Sequence, residues 1–391
     1  MSSQNQTKNQ KGSKDPGTEA KTSYHRIVVK LGTTLLTHGS EKLNLEVAGS
    51  LVQQIAQLTN DDVEVILVSS GAVAAGRQVL GISREEKNVP FKQVLAAAGQ
   101  GRLMHIYEQL FEPHGIPVAQ ALLSRKDLND RLGYLNVRNT LMSLLSLRVV
   151  PIINENDVVA VDELAGDHFG DNDTLSAMVA NLVDADLLML LGDVDGLYTA
   201  DPHLDPHAEL VSFVECLDGE IESMGGESWD NSGQGGMVTK LESAKRATST
   251  GVNVVIANGL VPNVVPRLAS GERIGTYLPA TSTKMESRKR WMLSSTSTVG
   301  KITIDSGAES ALINDNRSLL PAGVTEVSGA FDRGQTVAIF GSLGRQIAVG
   351  IANYNSVELK VIKGEHSNNI DALLPRNFGD AVVHKNNMVI L

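Results

Sequence analysis

The stretch Val149-Val-Pro-Ile-Ile-Asn-Glu-Asn-Asp157 constrains the fold more than any other. Its first five residues are apolar and mostly β-branched, the composition of a strand covered on both faces, as in parallel sheets flanked by helices. The run then breaks into amides and carboxylates, and Gly170-Asp-Asn-Asp173 opens a helical pattern about a dozen residues later. Glu155, Asp157, Asp171 and Asp173, with Asn154, Asn156 and Asn172, therefore gather where a strand ends and a helix begins. Open α/β sheets place their ligand crevice at that edge. A cluster so rich in carboxylates needs cationic partners.

The same strand-to-helix unit recurs along the chain. Ile27-Val-Val29 reads as a buried strand, followed at once by Lys30-Leu-Gly-Thr-Thr34 and an amphipathic stretch over 45–58. Residues 63–68, 116–123, 186–191 and 252–257 read as further strands, and 91–111, 136–147 and 240–250 as helices. The spacing predicts a mainly parallel sheet with helices on both faces from about residue 25 to 280. After Trp291 the texture changes to short β-like runs at 301–304, 323–327, 336–340, 346–352 and 357–362, separated by Gly and Asn/Asp turns. These predict a small, mostly antiparallel, barrel-like domain. The expected division is a disordered tail at 1–24, a first domain at 25–285, a linker at 286–298 and a second domain at 299–391.

Composition excludes several classes. A net charge of −11 is the wrong sign for a general nucleic-acid binder. No apolar run approaches the ~20 residues of a membrane span. The N-terminal residues lack the apolar core of a secretory signal, so a cytoplasmic protein is expected. Cys216 is the only cysteine, which rules out an intrachain disulfide or a cysteine zinc site. His203 and His207 are separated by Pro206, which spoils a shared helical face, and the aspartates at 193–201 lack the spacing of a calcium loop.

Two lysines adjoin glycine-rich loops: Lys30 before Gly32, and Lys240 after Gly235-Gly-Met-Val-Thr239. Beside a turn each reads equally as a solvated lysine or as an anion ligand. Strand, small-residue turn and helix together present backbone N–H groups to an anion, although neither loop has the Walker A pattern. Lysines, N–H donors and a carboxylate such as Asp173 to hold the lysines suit phosphoryl transfer, which is catalysed by positioning and electrostatics.

Six segments, in this order, resemble the amino acid kinase family: Val28-Val-Lys-Leu-Gly-Thr-Thr34, Val68-Ser-Ser-Gly-Ala-Val-Ala-Ala-Gly76, Asn154-Glu-Asn-Asp-Val-Val159, Gly170-Asp-Asn-Asp-Thr-Leu-Ser-Ala177, Asp195-Gly-Leu-Tyr-Thr-Ala-Asp-Pro202 and Gly235-Gly-Met-Val-Thr-Lys240. Ile302-Thr-Ile-Asp-Ser-Gly-Ala308, Ser318-Leu-Leu-Pro-Ala-Gly-Val324 and Phe331-Asp-Arg-Gly334 resemble a PUA domain, an attachment typical of the family's glutamate-phosphorylating branch. The resemblance implies a three-layer αβα sandwich with a mainly parallel sheet, plus a small mostly-β PUA-like barrel. It implies ATP-dependent phosphorylation of the γ-carboxylate of L-glutamate, the first step toward proline, with proline as an inhibitor.

It also implies roles. Lys30, Asp173 and Lys240 form the catalytic set, Asp173 orienting both lysines and doubling as N-cap of the helix from Thr174. Ser70, Gly71 and Ala72 take the substrate carboxylate, Asp157 its ammonium, and Asn154 and Asn172 its other polar groups. Gly32 and Thr33 offer N–H groups to the phosphoryl group, while Gly192, Asp193, Gly196, Tyr198, Gln234, Gly235, Gly236, Met237, Val238, Thr239 and Lys240 border ATP. Mg2+ is expected between the phosphates, held more by substrate than by protein. Residues 158–169 are expected to form a mobile loop where substrate choice is made. A dimer or tetramer and contact with the next enzyme of the pathway are implied partners, with no membrane.

Two positions depart from the family's pattern: Gln234 replaces a usual threonine, and Gly192 a nucleotide-contacting hydroxyl. Residues 299–391 hold eight Lys/Arg against nine Asp/Glu, so RNA binding by the PUA-like domain is not expected from charge. A regulatory RNA-binding protein with a vestigial kinase domain is the competing reading. Retention of Lys30, Asp173 and Lys240 speaks against it.

Overall fold

The computed structural model describes residues 24–82, 88–160, 172–202, 204–225, 236–285 and 298–391. The expected tail, nearly all of the expected linker, and most of the expected loop at 158–169 lie outside these residues.

The first sheet contains β1 (Arg26–Leu31), β2 (Glu64–Ser69), β3 (Val118–Leu123), β4 (Val150–Glu155), β5 (Leu187–Gly192), β6 (Asn253–Asn258) and β7 (Thr276–Leu278). Their order is β3-β4-β2-β1-β5-β6-β7, and every pairing is parallel except β6 with β7. Alternation along each strand feeds two separate cores. Ile27, Val29 and Leu31 join one with Leu67, Met189 and Leu191, under the helices Leu45–Asn60 and Val89–Phe111. Val28 joins the other with Ile66, Val68, Leu188 and Leu190, under the helices Arg131–Ser146, Asn172–Leu182 and Met237–Thr248. The result is the expected three-layer α/β arrangement. Because the central strands are parallel, their C-terminal ends share one edge, and the strand order turns back on itself around β1. That is the switch point where a crevice opens.

One helix pair shapes this edge. Ala72–Leu80, which follows β2, lies against Val89–Phe111 at a separation that only glycine permits. A Cβ on Gly76 would sit 1.8 Å from the Leu95 carbonyl oxygen, and one on Gly99 would sit 1.9 Å from that of Ala72. The contact fixes where Ser70-Gly71-Ala72 stands.

The second sheet has the order β12-β11-β10-β8-β9, built from β8 (Gly300–Ile304), β9 (Val324–Gly329), β10 (Thr336–Phe340), β11 (Gln346–Ile351) and β12 (Met388–Ile390). Three of its pairings are antiparallel and one, β8 with β10, is parallel. The run at 357–362, expected as a strand, is instead the helix Ser356–Ile362. A capping box overrides its β propensity: Asn355 accepts from the Val357 and Glu358 N–H groups, while Glu358 accepts from the Asn355 N–H. Leu359 and Ile362, three apart, are fully buried while Val357 is 71% exposed, a helical rather than an alternating pattern. The two sheets meet where Arg131 Nη1 donates to Thr336 Oγ1 at 2.7 Å and Gly334 approaches Leu132.

Gly99→Ala should destabilise the protein by about 3 kcal/mol or more, because both neighbours are backbone atoms that cannot yield. Urea unfolding measures this, and a loss below about 1 kcal/mol would mean the helices separate easily.

Candidate active site

Lys30 is the fourth residue of the fully covered part of the chain's first strand, so alternation points it to the face shared by the helices Asn172–Leu182 and Met237–Thr248. Both helices present their first turns at the sheet's C-terminal edge. Asp173 is the second residue of one and Lys240 the fourth of the other. Lys30 Nζ lies 2.5 Å from Asp173 Oδ1, and Lys240 Nζ lies 3.2 Å from Asp173 Oδ2. Thr239 Oγ1 also donates to Oδ2, at 3.2 Å. All three ionic groups are buried, Asp173 completely. Burial alone would push the Asp173 carboxyl up, but the charges of Lys240 and Lys30 outweigh it and hold the group well below the usual carboxylate range. Among the described residues two cations flank this one anion, at two helix N-termini that add positive potential.

Two expectations need correction here. Asp173 is not the N-cap of a helix from Thr174: that helix begins at Asn172, and the carboxylate is engaged by the lysines. The Gly32 N–H donates to Leu191 O at 3.2 Å, extending the β1–β5 ladder, so it is not directed at a phosphoryl group. Thr33 opens the short helix that follows, the one of this pair without a recorded ladder bond. The Thr239 hydroxyl lies within hydrogen-bonding distance of the Asp173 carboxylate and of the Gly236 carbonyl.

The residues expected to meet an amino acid gather beside this centre. Ser70 follows β2, with its N–H on Leu31 O and its hydroxyl accepting from Asn172 Nδ2 at 2.9 Å. Gly71 holds φ +107 at the start of the next helix, and Ala72 is its first residue. Asn172 Nδ2 also donates to Asn154 Oδ1 at 3.0 Å. Asp157 lies just beyond β4, 8% exposed, and among the described residues its carboxylate meets no cation. Burial therefore pushes its pKa up to about 6.

The nucleotide-border residues separate into two groups. A Cβ on Gly192 would stand 3.5 Å from Lys240 Cε, an ordinary contact, so this strand end lies against the lysine's stem. Asp193 accepts from Thr34 Oγ1 at 3.2 Å. Gly236 N-caps the helix that carries Met237, Val238, Thr239 and Lys240. Gly196 and Tyr198 are tied into a turn instead: Gly196 has φ +155 and abuts Thr276, and the Tyr198 hydroxyl donates to Asp195. Gln234 and Gly235 lie outside the described residues.

Two residues escaped the sequence reading. Gln93 donates to the carbonyls of Asp157 and Val158 at 3.0 and 3.1 Å, and Gln100 accepts from Asn154 Nδ2 at 2.8 Å. They are seven apart on one helix, close to two turns, and that spacing was the only signal of a shared face.

A buried carboxylate clamped between two lysines, at helix N-termini and beside an amide-rich pocket, defines a phosphotransferase of the kind the sequence motifs resemble. The model of the amino acid kinase family matches residues 25–258 and that of the PUA domain residues 300–374. The chain belongs to the amino acid kinase family and is an enzyme, with a PUA domain toward its C-terminal end. The particular relatives are glutamate 5-kinases. The chain is 52% identical over 368 residues to that of Dehalococcoides mccartyi strain 195, covering 94% of this chain and 99% of the relative. It is 49% identical to that of Herpetosiphon aurantiacus and 45% to that of Caldanaerobacter subterraneus subsp. tengcongensis, each covering 94% of this chain and 98% of the relative.

Asp173→Asn should remove the counter-charge that two buried ammonium groups share. A loss of about 3–5 kcal/mol in the free protein is expected, in chemical unfolding at neutral pH. Because the carboxyl's pKa is depressed in the fold, its contribution is present above the usual carboxylate range and disappears as acid protonates it. The wild type and variant should therefore converge in stability only at strongly acid pH.

Proposed function

We propose that the chain transfers the γ-phosphoryl group of ATP to the γ-carboxylate of L-glutamate, giving γ-glutamyl phosphate and ADP. The observation that carries this reading is the buried Lys30–Asp173–Lys240 set beside Asp157, whose carboxylate meets no cation among the described residues. The cationic half suits phosphoryl oxygens, and the anionic half suits an amino acid's ammonium. The printed names of the full-length relatives support glutamate as the acceptor.

The reaction needs no general base, since an ionised carboxylate is already a nucleophile. One carboxylate oxygen attacks the γ-phosphorus as the bond to the β–γ bridging oxygen breaks, and that electron pair leaves with ADP. Lys30 is assigned to the transferring group and Lys240 to the charge growing on the leaving oxygen. Asp173 keeps the two ammonium groups apart and aimed. The N–H groups of Gly71 and Ala72, with Ser70, are assigned to the substrate's α-carboxylate, and Asp157 to its ammonium. The segment from Gly192 and Asp193 to Gly196 and Tyr198, with Gly236 to Lys240, is assigned to ATP.

Among the described residues no group of three or more His, Cys, Asp or Glu side chains is placed to hold a metal ion, and Asp173 is shared between two lysines. These residues do not fit a protein-bound metal, so Mg2+ is assigned to the nucleotide's phosphates as part of the substrate. Among the described residues no helix is long and apolar enough to cross a membrane. A cytoplasmic enzyme of the proline pathway, inhibited by proline and assembled as a dimer or tetramer, completes the proposal; these last features rest on the resemblance alone.

ADP release measured with L-glutamate, aspartate, N-acetylglutamate and carbamate tests the acceptor. Turnover should require glutamate, and turnover with another acceptor in its place would sink the reading. Lys30→Ala and Lys240→Ala should each lower kcat by about 10²–10³ and change the KM for glutamate little, because their charge matters most in the transition state.

Asp157 gives a pH signature. Its carboxyl titrates near pH 6 in the free enzyme, so acid removes the ammonium's counter-charge. The KM for glutamate should rise by up to about tenfold per pH unit below that point. In Asp157→Asn the KM should be high and nearly flat across the same range. A wild-type KM equally flat from pH 7 to 5 would remove Asp157 from the role.

A further inference from the structure

The amides around Asn154 form a chain whose polarity can be read from one fixed point. The backbone N–H of Glu155 can only donate, and its partner at 2.9 Å is the Asn154 side chain, so Asn154 turns Oδ1 toward it. The Asn154 NH2 then faces Gln100, which must accept, and does so with Oε1 at 2.8 Å. Asn154 Oδ1 also receives a second donor at 3.0 Å, which must be the NH2 of Asn172. That NH2 gives its other hydrogen to Ser70 Oγ at 2.9 Å. Every amide in the chain is thereby oriented.

One atom is left over. Asn172 is 1% exposed, and its buried Oδ1 has no hydrogen-bond partner among the described residues. Leaving a buried carbonyl oxygen unmet is costly, and native proteins rarely do so without a reason. Three residues past Asn154 stands Asp157, 8% exposed, its carboxylate facing no cation among the described residues. Its backbone is held by Gln93 from the same helix that carries Gln100. An unmet carbonyl oxygen and a carboxylate without a cation call for a ligand group that only donates and carries positive charge, and a primary ammonium has three N–H bonds and no lone pair.

We propose that Gln100 is a positioning residue for substrate recognition: by locking Asn154, it holds Asn172 with its carbonyl oxygen presented to the α-ammonium of the acceptor. This rests on the glutamate reading above. Gln100 does not touch the substrate. It acts by denying Asn154, and through it Asn172, the freedom to rotate and expose an NH2 group where the ammonium must sit. The consequence is selectivity between glutamate and glutarate, its analogue without the amino group. A site built to accept hydrogen bonds rejects a ligand that cannot offer them, because its buried acceptors stay unpaired.

The test uses the full chain, with the KM for glutamate and the Ki of glutarate as a competitive inhibitor. Gln100→Met removes the acceptor and keeps length and helix propensity, whereas Gln100→Glu keeps an acceptor facing Asn154. In Gln100→Met the preference for glutamate over glutarate should fall on the order of 10-fold. The kcat and the KM for ATP should stay near wild type, and Gln100→Glu should restore the preference. An unchanged ratio in Gln100→Met, or a Gln100→Glu variant no better than it, overturns the relay while leaving the glutamate reading intact. Wild-type enzyme without glutamate-dependent turnover overturns both.

Discussion

Everything at the sheet's C-terminal edge depends on one carboxylate being shared by two ammonium groups. Asp173 is completely buried, and an isolated anion there would be protonated rather than ionised. Lys30 and Lys240 would face the same difficulty, with their repulsion added. The three groups are tolerable only together, and among the described residues two cations share the one anion where water screens them little. The arrangement is intrinsically poor as a stabilising device, since a buried ion pair rarely repays its desolvation. Its retention makes sense as a binding and catalytic device, where the two lysines meet an incoming phosphoryl group.

The fold supplies this arrangement through simple periodicities. A two-residue alternation on β1 sends Ile27, Val29 and Leu31 to one core and Val28 and Lys30 to the other face. The helices on that second face begin where the parallel strands end, so their first turns bring Asp173 and Lys240 to Lys30. A one-residue slip in β1 would bury the lysine under the opposite helices and dismantle the centre. The close crossing of Gly76 and Gly99 does the corresponding work for the amino acid pocket, by setting the height of the helix that starts at Ala72.

How much of this the sequence discloses depends on how local the determinant is. Buried parallel strands are continuous apolar runs, so all six parallel strands were legible, and the loops that follow them pointed to Lys30, Asp173 and Lys240. The run at 357–362 was misread because its β-branched residues outvoted a capping box that begins two residues earlier, at Asn355. The Gly32 N–H was misassigned because a glycine after a lysine looks like an anion loop, and only the neighbouring strand reveals that Leu191 already takes its hydrogen bond. Gln93 and Gln100 were invisible for a related reason. Glutamine is common on helix surfaces, and nothing local tells which two will face a strand end fifty or sixty residues away.

The two aspartates of the opening cluster end in opposite conditions, and the difference follows from their company. Asp173 has two cations and is held ionised; Asp157 has burial without a cation, and its pKa rises to about 6. Among the described residues the crevice thus presents two lysines around Asp173, and also an aspartate without a cation and an unmet Asn172 oxygen. A ligand bearing one kind of charge relieves only one of these. In the function proposed above, an amino acid ammonium is assigned to the acidic side, a nucleotide's phosphates to the basic one, and the reacting carboxylate between them. The two substrates therefore complete complementary halves of a site that neither fills alone, which is the electrostatic form that bringing two anions together requires.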